Sequence, residues 1–199
     1  MNLDYDELLK FAQENIKLIN RPLAHKFRDR YTHTLRVLKW GERIQAIEGG
    51  DLEVIKAACI LHDIGWDDVI NHAVISKNIA EKYLNDINCD ENKKIKILEA
   101  IENHNNRQTE SQLNIESFIV MDADILDEVG ALSIMWDAMA AVSEPDASYK
   151  KAYGRIIKYS NQIDERKILL RTKAGKKFYE DKIKFSKFFI KELEQELEG

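Results

Sequence analysis

A histidine and an aspartate stand side by side, as His62 and Asp63, at the end of an apolar run. The run, residues 57–61, is apolar on every face of a helix, which predicts a buried helix. Gly65 follows it and is a natural helix stop. Two ionisable side chains at the end of a buried helix are costly unless something charged compensates them, and a metal ion would do so. The pair is therefore the first candidate for a metal site.

A group of acidic side chains lies downstream, in residues 122–128. Acidic residues at a helix start complement the helix dipole, and this explanation suffices for Asp122 and Glu128. It fits Asp124 less well, because Asp124 lies between apolar neighbours and shares a helix face with Asp127 that continues into the core. Asp124 is therefore a further candidate ligand.

A second histidine, His33, shares one helical stripe with Val37, Trp40 and Ile44 and is expected to face inward. A single inward histidine is more often a core residue than a ligand. The same holds for a single His62, but the adjacent Asp63 weakens that explanation, because a carboxylate is almost never fully buried without a partner.

Together, His33, His62, Asp63 and Asp124 offer two imidazoles and two carboxylates from three predicted helices. Nitrogen and oxygen ligands without thiolate suit a divalent ion such as Mn, Fe, Co, Ni or Zn. Four protein ligands on a metal that prefers six leave positions for water and substrate, and bound water then becomes a hydroxide nucleophile near neutral pH. The residues alone leave this interpretation and a purely structural one open.

The elements that must position these residues are helices. Helical periodicity predicts them over residues 4–19, 29–48, 52–62, 73–85, 90–103, 126–142, 146–159, 164–170 and 173–197. The apolar stretch 115–121 is too short for periodicity to distinguish a strand from a buried helix, and its helical surroundings favour a helix. Because no segment alternates with the two-residue period of a half-buried strand, the predicted fold class is all-α, a bundle with an additional C-terminal helical segment.

Composition excludes several classes of function. The 199 residues suffice for one domain, and the net charge of −5 argues against a general nucleic-acid or anionic-membrane surface. Cys59 and Cys89 form neither a disulfide nor a metal spacing, which indicates a reducing, cytoplasmic setting. The N-terminus lacks the layout of a signal peptide, and no apolar run approaches the ~20 residues that span a bilayer.

The order of the candidate ligands resembles the H…HD…D signature of the HD superfamily of metal-dependent phosphohydrolases. His33 is followed by Arg36-Val37, residues 61–65 read Leu-His-Asp-Ile-Gly, and residues 122–127 read Asp-Ala-Asp-Ile-Leu-Asp. The resemblance covers roughly residues 25–142. The HD dipeptide alone is a weak signal, whereas the four elements in this order are a strong one.

The resemblance implies an HD-domain helical bundle with one divalent metal, Mg included among the candidates, held by His33, His62, Asp63 and Asp124. It implies hydrolysis of phosphate esters or anhydrides, often of nucleotides. The subgroup that the chain resembles is the small bacterial HD hydrolases, some of which are credited with nucleotide pyrophosphohydrolase activity. That subgroup often has Arg where this chain has Ile125, so a substrate contact of that arginine is missing or replaced here.

Four further residues are expected around the metal. Asp67 and Asp68 are candidate catalytic residues, because many family members place an acid here to orient or activate the attacking water; a polar loop explains either one equally well. His72 and His104 lie at the edges of apolar helices. Two-metal HD enzymes use extra histidines, but the spacing from His62 and Asp63 does not match that pattern well, so we expect roles in substrate binding or in supporting the ligands.

Three cations, Arg36, Lys77 and Arg107, are candidate partners of substrate phosphate by charge. Each alone is more often a solvated surface residue. Trp66 is expected to form a pocket wall or to stack on a base. The expected partner is a small phosphorylated substrate, a nucleotide in the first place, with a homodimer left open. A dinuclear-iron oxygenase and a catalytically silent nucleotide-binding module are the alternatives.

Overall fold

The computed structural model describes residues 3–19, 27, 29–106, 112–160 and 167–198. The regular elements in these ranges are all α-helices, which confirms the predicted fold class. They are α1 (Tyr5–Leu18), α2 (Arg30–Glu48), α3 (Leu52–Leu61), α4 (His72–Asp86), α5 (Glu91–Asn103), α6 (Ile115–Asp127), α7 (Ala131–Val142), α8 (Tyr149–Ser160) and α9 (Lys173–Glu198).

The bundle is built around α3, whose apolar side chains are buried from Val54 to Leu61. It packs against α2, α5 and α6, which therefore surround the end of α3 that carries His62. The contact between α2 and α3 is close, because a Cβ atom on Gly41 would lie 2.7 Å from Cys59 Sγ. The buried apolar helix inferred from residues 57–61 is thus the centre of the structure.

Short polar side chains begin the helices that carry the candidate ligands. The carboxylate of Asp29 accepts hydrogen bonds from the backbone N–H groups of Tyr31 and Thr32 at the start of α2. Asn71 accepts one from Ala73 N–H at the start of α4. Such caps satisfy N–H groups that lack partners inside the helix, and they fix where each helix begins.

The predicted continuous helix over residues 126–142 is interrupted, so its residues belong to two helices. Helix α6 runs through to Asp127, and α7 begins only at Ala131. Gly130 lies between them with φ of 90°, a backbone conformation that glycine adopts without strain and that a continuous helix does not contain. A Cβ atom here would also lie 3.2 Å from the side chain of Lys182 in α9.

The helix-start explanation for Asp122 and Glu128 is also wrong. Helix α6 begins at Ile115, so Asp122 lies in its second half and is fully buried, whereas Glu128 is its C-terminal cap residue. The stretch 115–121 is helical, as its surroundings suggested, and nearly every residue of α6 is buried. Such burial on all sides explains why periodicity could not identify it as a helix.

The C-terminal helices α7, α8 and α9 pack on one another, and α9 also returns to α2 and α6. Ala174 and Tyr179 of α9 lie in the main hydrophobic core. The predicted short helix 164–170 falls partly outside the described residues; within them Lys167 is helical and residues 168–169 form a turn. None of the described helices is long and apolar enough to cross a membrane.

Candidate metal centre

Three candidate ligands from three elements meet at one point. His33 Nε2, in the first turns of α2, lies 3.2 Å from Nε2 of His62, the residue after α3. It also lies 3.4 Å from Oδ1 of Asp124 in α6. One ligand atom from each side chain lies within 4.8 Å of the other two. His62 and Asp124 are buried, so the group is shielded from solvent.

The hydrogen bonds on the far side of each ring fix which nitrogen faces this point. His62 Nδ1 lies 2.8 Å from the Cys59 carbonyl oxygen, which only accepts, so Nδ1 is the donor. His33 Nδ1 likewise donates to Asp127 Oδ2 at 2.8 Å. In the neutral rings both Nε2 atoms therefore carry lone pairs and face each other.

This arrangement fits a metal ion. Two lone pairs 3.2 Å apart repel unless a cation or a proton lies between them. Ligand atoms at about 2.1 Å from a metal and at right angles to each other are about 3 Å apart, close to the distances observed. The donor set of imidazole nitrogen and carboxylate oxygen suits borderline divalent ions.

Asp63 lies beside this group and is held from two sides. Its Oδ2 accepts a hydrogen bond from Arg30 Nη1 at 3.0 Å, and its Oδ1 lies 3.3 Å from His72 Nε2. Asp63 forms a second candidate ligand cluster with His62 and His104, in which one atom of each lies within 4.8 Å of the others. His62 thus belongs to both clusters.

His72 and His104 meet at this second cluster although forty-odd residues of sequence separate His104 from His62. His104 is buried, and its Nδ1 donates to the Ile101 carbonyl at 2.7 Å. Its Nε2 lies 3.1 Å from His72 Nε2. The tertiary structure therefore brings both histidines next to Asp63, which their sequence spacing did not indicate.

The pKa values separate the histidines in the metal-free protein. Burial lowers the pKa of His33, but hydrogen bonds with Asp124 and Asp127 outweigh burial and raise it to about 10. Burial lowers the pKa of His62, and it lowers the pKa of His104 to about 4. His33 is therefore protonated at neutral pH, and this proton supplies the positive charge between the rings.

Asp63 is ionised under the same conditions. Burial raises the pKa of Asp63, but the neighbouring His62 and Arg30 more than reverse this effect and bring the pKa to about 2. Because His62 is neutral at neutral pH, the Arg30 guanidinium is the partner that matters there. Asp63 is consequently an anionic carboxylate, with Oδ2 paired to Arg30 and Oδ1 facing His72.

Asp127 and Arg36 form a support for His33 that the sequence reading missed. Arg36 donates from Nε to Asp127 Oδ1 at 2.7 Å and from Nη2 to Asp127 Oδ2 at 2.9 Å, a two-pronged ion pair. The same carboxylate accepts the His33 Nδ1 proton. The spacings were a usable signal, since Arg36 follows His33 by one turn and Asp127 follows Asp124 by one turn.

Arg30 was missed as well. It lies one turn before His33 on α2, pairs with Asp63, and places its guanidinium carbon 5.4 Å from the centroid of the Trp66 ring. Trp66 also stacks beside His72, with ring centroids 6.1 Å apart. Trp66 therefore lies beside Arg30 and His72, next to the centre.

The other predicted site residues lie farther out. Asp67 and Asp68 are exposed in the loop after Gly65, and Asp67 Oδ1 accepts the N–H groups of Val69 and Ile70, which lower its pKa. Lys77 donates to Glu102 at 2.7 Å. Arg107 lies outside the described residues.

Ile125, where the resembling subgroup often has Arg, is fully buried in the hydrophobic core. This position therefore offers no polar group to the centre, and Arg30 is the arginine that the structure places there instead.

Comparisons with known proteins identify the domain family and the fold. Residues 30–128 match the family model of the HD domain. None of the curated proteins matches the chain. Solved structures with a similar fold include an HD-superfamily hydrolase from Bacillus thuringiensis, with 20% identity, a TM-score of 0.76, and coverage of 98% of this chain and 97% of that one.

Two further structures are similar at comparable identity. A predicted HD superfamily hydrolase from an uncultured Thermotogales bacterium has 22% identity and a TM-score of 0.67, with 96% of this chain and 92% of that chain covered. YpgQ from Bacillus subtilis, in complex with ADP, has 21% identity and a TM-score of 0.69, with 96% and 94% covered. At these identities the likeness establishes the shared fold.

Proposed function

This chain is an HD-domain protein, with the fold of HD-superfamily hydrolases, and we propose that it is a metal-dependent phosphohydrolase acting on a nucleotide or another small phosphate ester or anhydride. The observation that carries the proposal is the convergence of His33, His62 and Asp124, with both Nε2 atoms turned toward one point. Asp63 lies beside them with an ionised carboxylate. These four residues would hold one divalent ion, whose identity among Mn, Fe, Co, Ni, Zn and Mg is open.

A divalent ion held there acts as a Lewis acid toward a phosphoryl oxygen and lowers the pKa of bound water toward neutrality. The protein groups around it keep the donors in place. The Asp127 carboxylate and the Cys59 carbonyl hold the His33 and His62 rings in the tautomers that point Nε2 inward. This support reduces the reorganisation needed when the ion binds.

We assign phosphate binding first to Arg30. Its bond to Asp63 uses Nη1, whereas a guanidinium carries five N–H donors in a planar fork that suits phosphoryl oxygens. Its attachment to Asp63 would place this positive charge next to an ion held by that carboxylate. Two of the cations proposed from the sequence already pair with a carboxylate, Arg36 with Asp127 and Lys77 with Glu102. For these two, and for Arg107, substrate binding remains a proposal of lower rank.

Proton transfer stays proposed for Asp67 or Asp68 in the loop after Gly65. Exposure leaves either acid accessible to substrate and water, and the turn that Asp67 forms with Val69 and Ile70 holds its carboxylate in a defined direction. Its lowered pKa keeps Asp67 ionised at neutral pH, so in this role it accepts a proton rather than donating one.

A nucleotide is the favoured substrate class because the structurally similar YpgQ is found in complex with ADP. ADP is itself a phosphate anhydride, the bond class that this chemistry attacks. Trp66 at the rim of the centre offers an aromatic surface next to Arg30, a combination suited to a base and its phosphates.

The test is metal analysis of the purified protein, followed by a panel of phosphomonoesters, phosphodiesters and nucleoside di- and triphosphates with several divalent ions. We expect one metal equivalent and turnover of at least one nucleotide, both lost in His62→Ala and in Asp124→Ala. Lys177→Ala on the exposed face of α9 is the control and retains both. Full turnover in either ligand variant contradicts the proposal, and tight nucleotide binding without turnover favours the silent binding module.

A dinuclear centre is the second candidate, because His62, Asp63 and His104 form a cluster of their own beside His72. Two metal equivalents would be required for the iron oxygenase alternative. Elemental analysis that finds a single equivalent in fully loaded protein rejects it.

A further inference from the structure

The N-terminal end of α9 is attached to the two helices that carry His33 and Asp124. The buried carboxylate of Asp122 accepts three hydrogen bonds, from Arg171 N–H at 2.8 Å, Thr172 N–H at 2.8 Å and Thr172 Oγ1 at 2.6 Å. Ala174 N–H donates to Glu48 Oε1 at 2.6 Å. One carboxylate thus comes from α6 and the other from the C-terminal end of α2.

The physical chemistry of a helix start explains the attachment. The first N–H groups of a helix lack partners inside it and carry the positive end of its dipole, which favours the bond from Ala174 N–H to Glu48. Arg171 and Thr172, whose N–H groups bind Asp122, lie directly before Lys173, so this carboxylate is also near the positive end. Thr172 Oγ1 also accepts the Gly175 N–H at 2.9 Å. A Cβ atom on Gly175 would lie 2.2 Å from Asp122 Oδ2, so a glycine is needed for the carboxylate to approach this closely.

A second contact lies two turns along α9. Lys182 Nζ donates to the Val129 carbonyl, just after α6, at 2.9 Å. The same ammonium lies 4.7 Å from the centroid of the Trp40 ring on α2. Helix α9 therefore contacts α2 and the region of α6 at two separate positions along its length. Both contacts involve polar or charged groups with a defined direction.

This arrangement matters for the metal centre because its ligands sit on these same helices. Asp122 precedes Asp124 by two residues on α6, and His33 lies on α2. A small rotation or shift of α6 against α2 would change the distance of 3.4 Å between His33 Nε2 and Asp124 Oδ1. Helix α9 lies outside the HD domain of residues 30–128, so that domain alone does not contain the attachment.

We propose that the first half of α9 is a brace that sets the position of α6 against α2, and that Asp122 and Thr172 are positioning residues of the metal centre. The inference rests on the proposed metal site, and it adds the requirement that a segment beyond the HD domain shapes that site. Neither residue touches the ion; each acts through α6.

The test measures Co²⁺ affinity and the Co²⁺ absorption spectrum of the metal-free full-length protein, together with its thermal midpoint. Asp122→Asn places an amide N–H₂ against backbone donors, and Thr172→Val removes the hydroxyl group. We expect each to weaken Co²⁺ binding about tenfold, the size found when groups that orient metal ligands are removed, and to alter the spectrum. Thr172→Ser keeps the hydroxyl and is expected to bind Co²⁺ like the wild type.

Ile156→Ala is the matched control, because it opens a cavity at a buried site in α8 and lowers the thermal midpoint without touching the brace. We expect it to keep wild-type Co²⁺ affinity. The inference is overturned if Asp122→Asn and Thr172→Val bind Co²⁺ with wild-type affinity, or if Ile156→Ala loses as much affinity as they do. A wild-type protein that binds no Co²⁺ overturns the metal site itself, which separates failure of the proposed function from failure of the brace.

Discussion

Two pairs of histidines in this protein have nearly the same geometry and different electrostatic surroundings. In the first histidine pair, His33 and His62, the Nε2 atoms are 3.2 Å apart. In the second histidine pair, His72 and His104, they are 3.1 Å apart. Nδ1 of His33, His62 and His104 lies within hydrogen-bond distance of an acceptor oxygen, so these three rings are oriented in the same way.

The two histidine pairs differ in the carboxylates that surround them. Two carboxylates, Asp124 and Asp127, contact His33 and raise its pKa to about 10. The second histidine pair faces Asp63, whose other oxygen is already paired with Arg30, and burial lowers the pKa of both its histidines. The comparison teaches that the charges around two imidazoles, rather than their spacing, decide which pair holds an additional proton in the metal-free protein.

The largest difference between the pairs is expected in metal content. His33→Ala removes a ligand from the first histidine pair, and we expect it to lose bound metal and at least ~100-fold of its activity. His104→Ala leaves His33, His62 and Asp124 intact, so we expect it to keep one metal equivalent. Elemental analysis of both purified variants measures this. Equal losses would show that the two pairs form one inseparable site.

Charge near the first histidine pair is tested by Asp127→Asn. The amide keeps the shape of the side chain but removes the charge that supports His33 and pairs with Arg36. We expect metal affinity to fall about 10–100-fold, measured by competition with a chelator. Glu116→Gln, a buried acid on the same helix that bonds to Asp51 and Lys96, is the control and should change affinity little.

The raised pKa of His33 predicts a pH dependence. Its folded pKa of about 10 lies above the ordinary value of 6.5, so the stability that the proton contributes to the metal-free protein is complete below 6.5 and is lost as pH rises toward 10. Metal must displace the same proton, so metal affinity is expected to rise up to about tenfold per pH unit through this range. Titrations at several pH values measure the slope, and a flat profile in the wild type would contradict the assignment.

The smallest effect is expected at Arg30, which stands between Asp63 and Trp66. Arg30→Lys keeps the charge but replaces the planar fork by a single ammonium group. We expect KM for the phosphorylated substrate to rise about tenfold, with metal content unchanged. Steady-state kinetics measure it, with Arg43→Lys on the outer face of α2 as the control. An unchanged KM would assign phosphate binding to another cation.

Much of the fold follows from the sequence because helices obey local rules. The apolar run of α3 and the periodic helices around it were readable, since burial and the 3.6-residue period leave a local pattern. The break at Gly130 was not readable from the sequence, because a glycine within an apolar run is compatible both with a continuous helix and with a turn. Its positive φ belongs to the turn between α6 and α7, which becomes visible only in the folded structure.

The candidate site likewise contains residues that the sequence indicated and residues whose roles only the structure shows. The HD pair was visible because two ionisable residues at the end of a buried helix are unusual. The roles of Arg30 and Arg36 were not visible, since a charged residue on a helix is usually solvated, and only the approach of Asp63 and Asp127 reveals their partners.

Helix α6 shows which features the sequence determines and which features depend on the tertiary structure. Its sequence determined that three acids, Asp122, Asp124 and Asp127, follow one another closely beside apolar residues, and the chemistry of carboxylates determined that they need partners when buried. Each residue turns the helix by about 100°, so Asp124 and Asp127 share the face toward His33, whereas Asp122 points to the start of α9. Only the tertiary structure decided which partner each face contacts. The sequence shows three similar aspartates, and a metal ligand, a hydrogen-bond partner of a histidine and a residue that binds the start of another helix differ only in which neighbouring helix each one contacts.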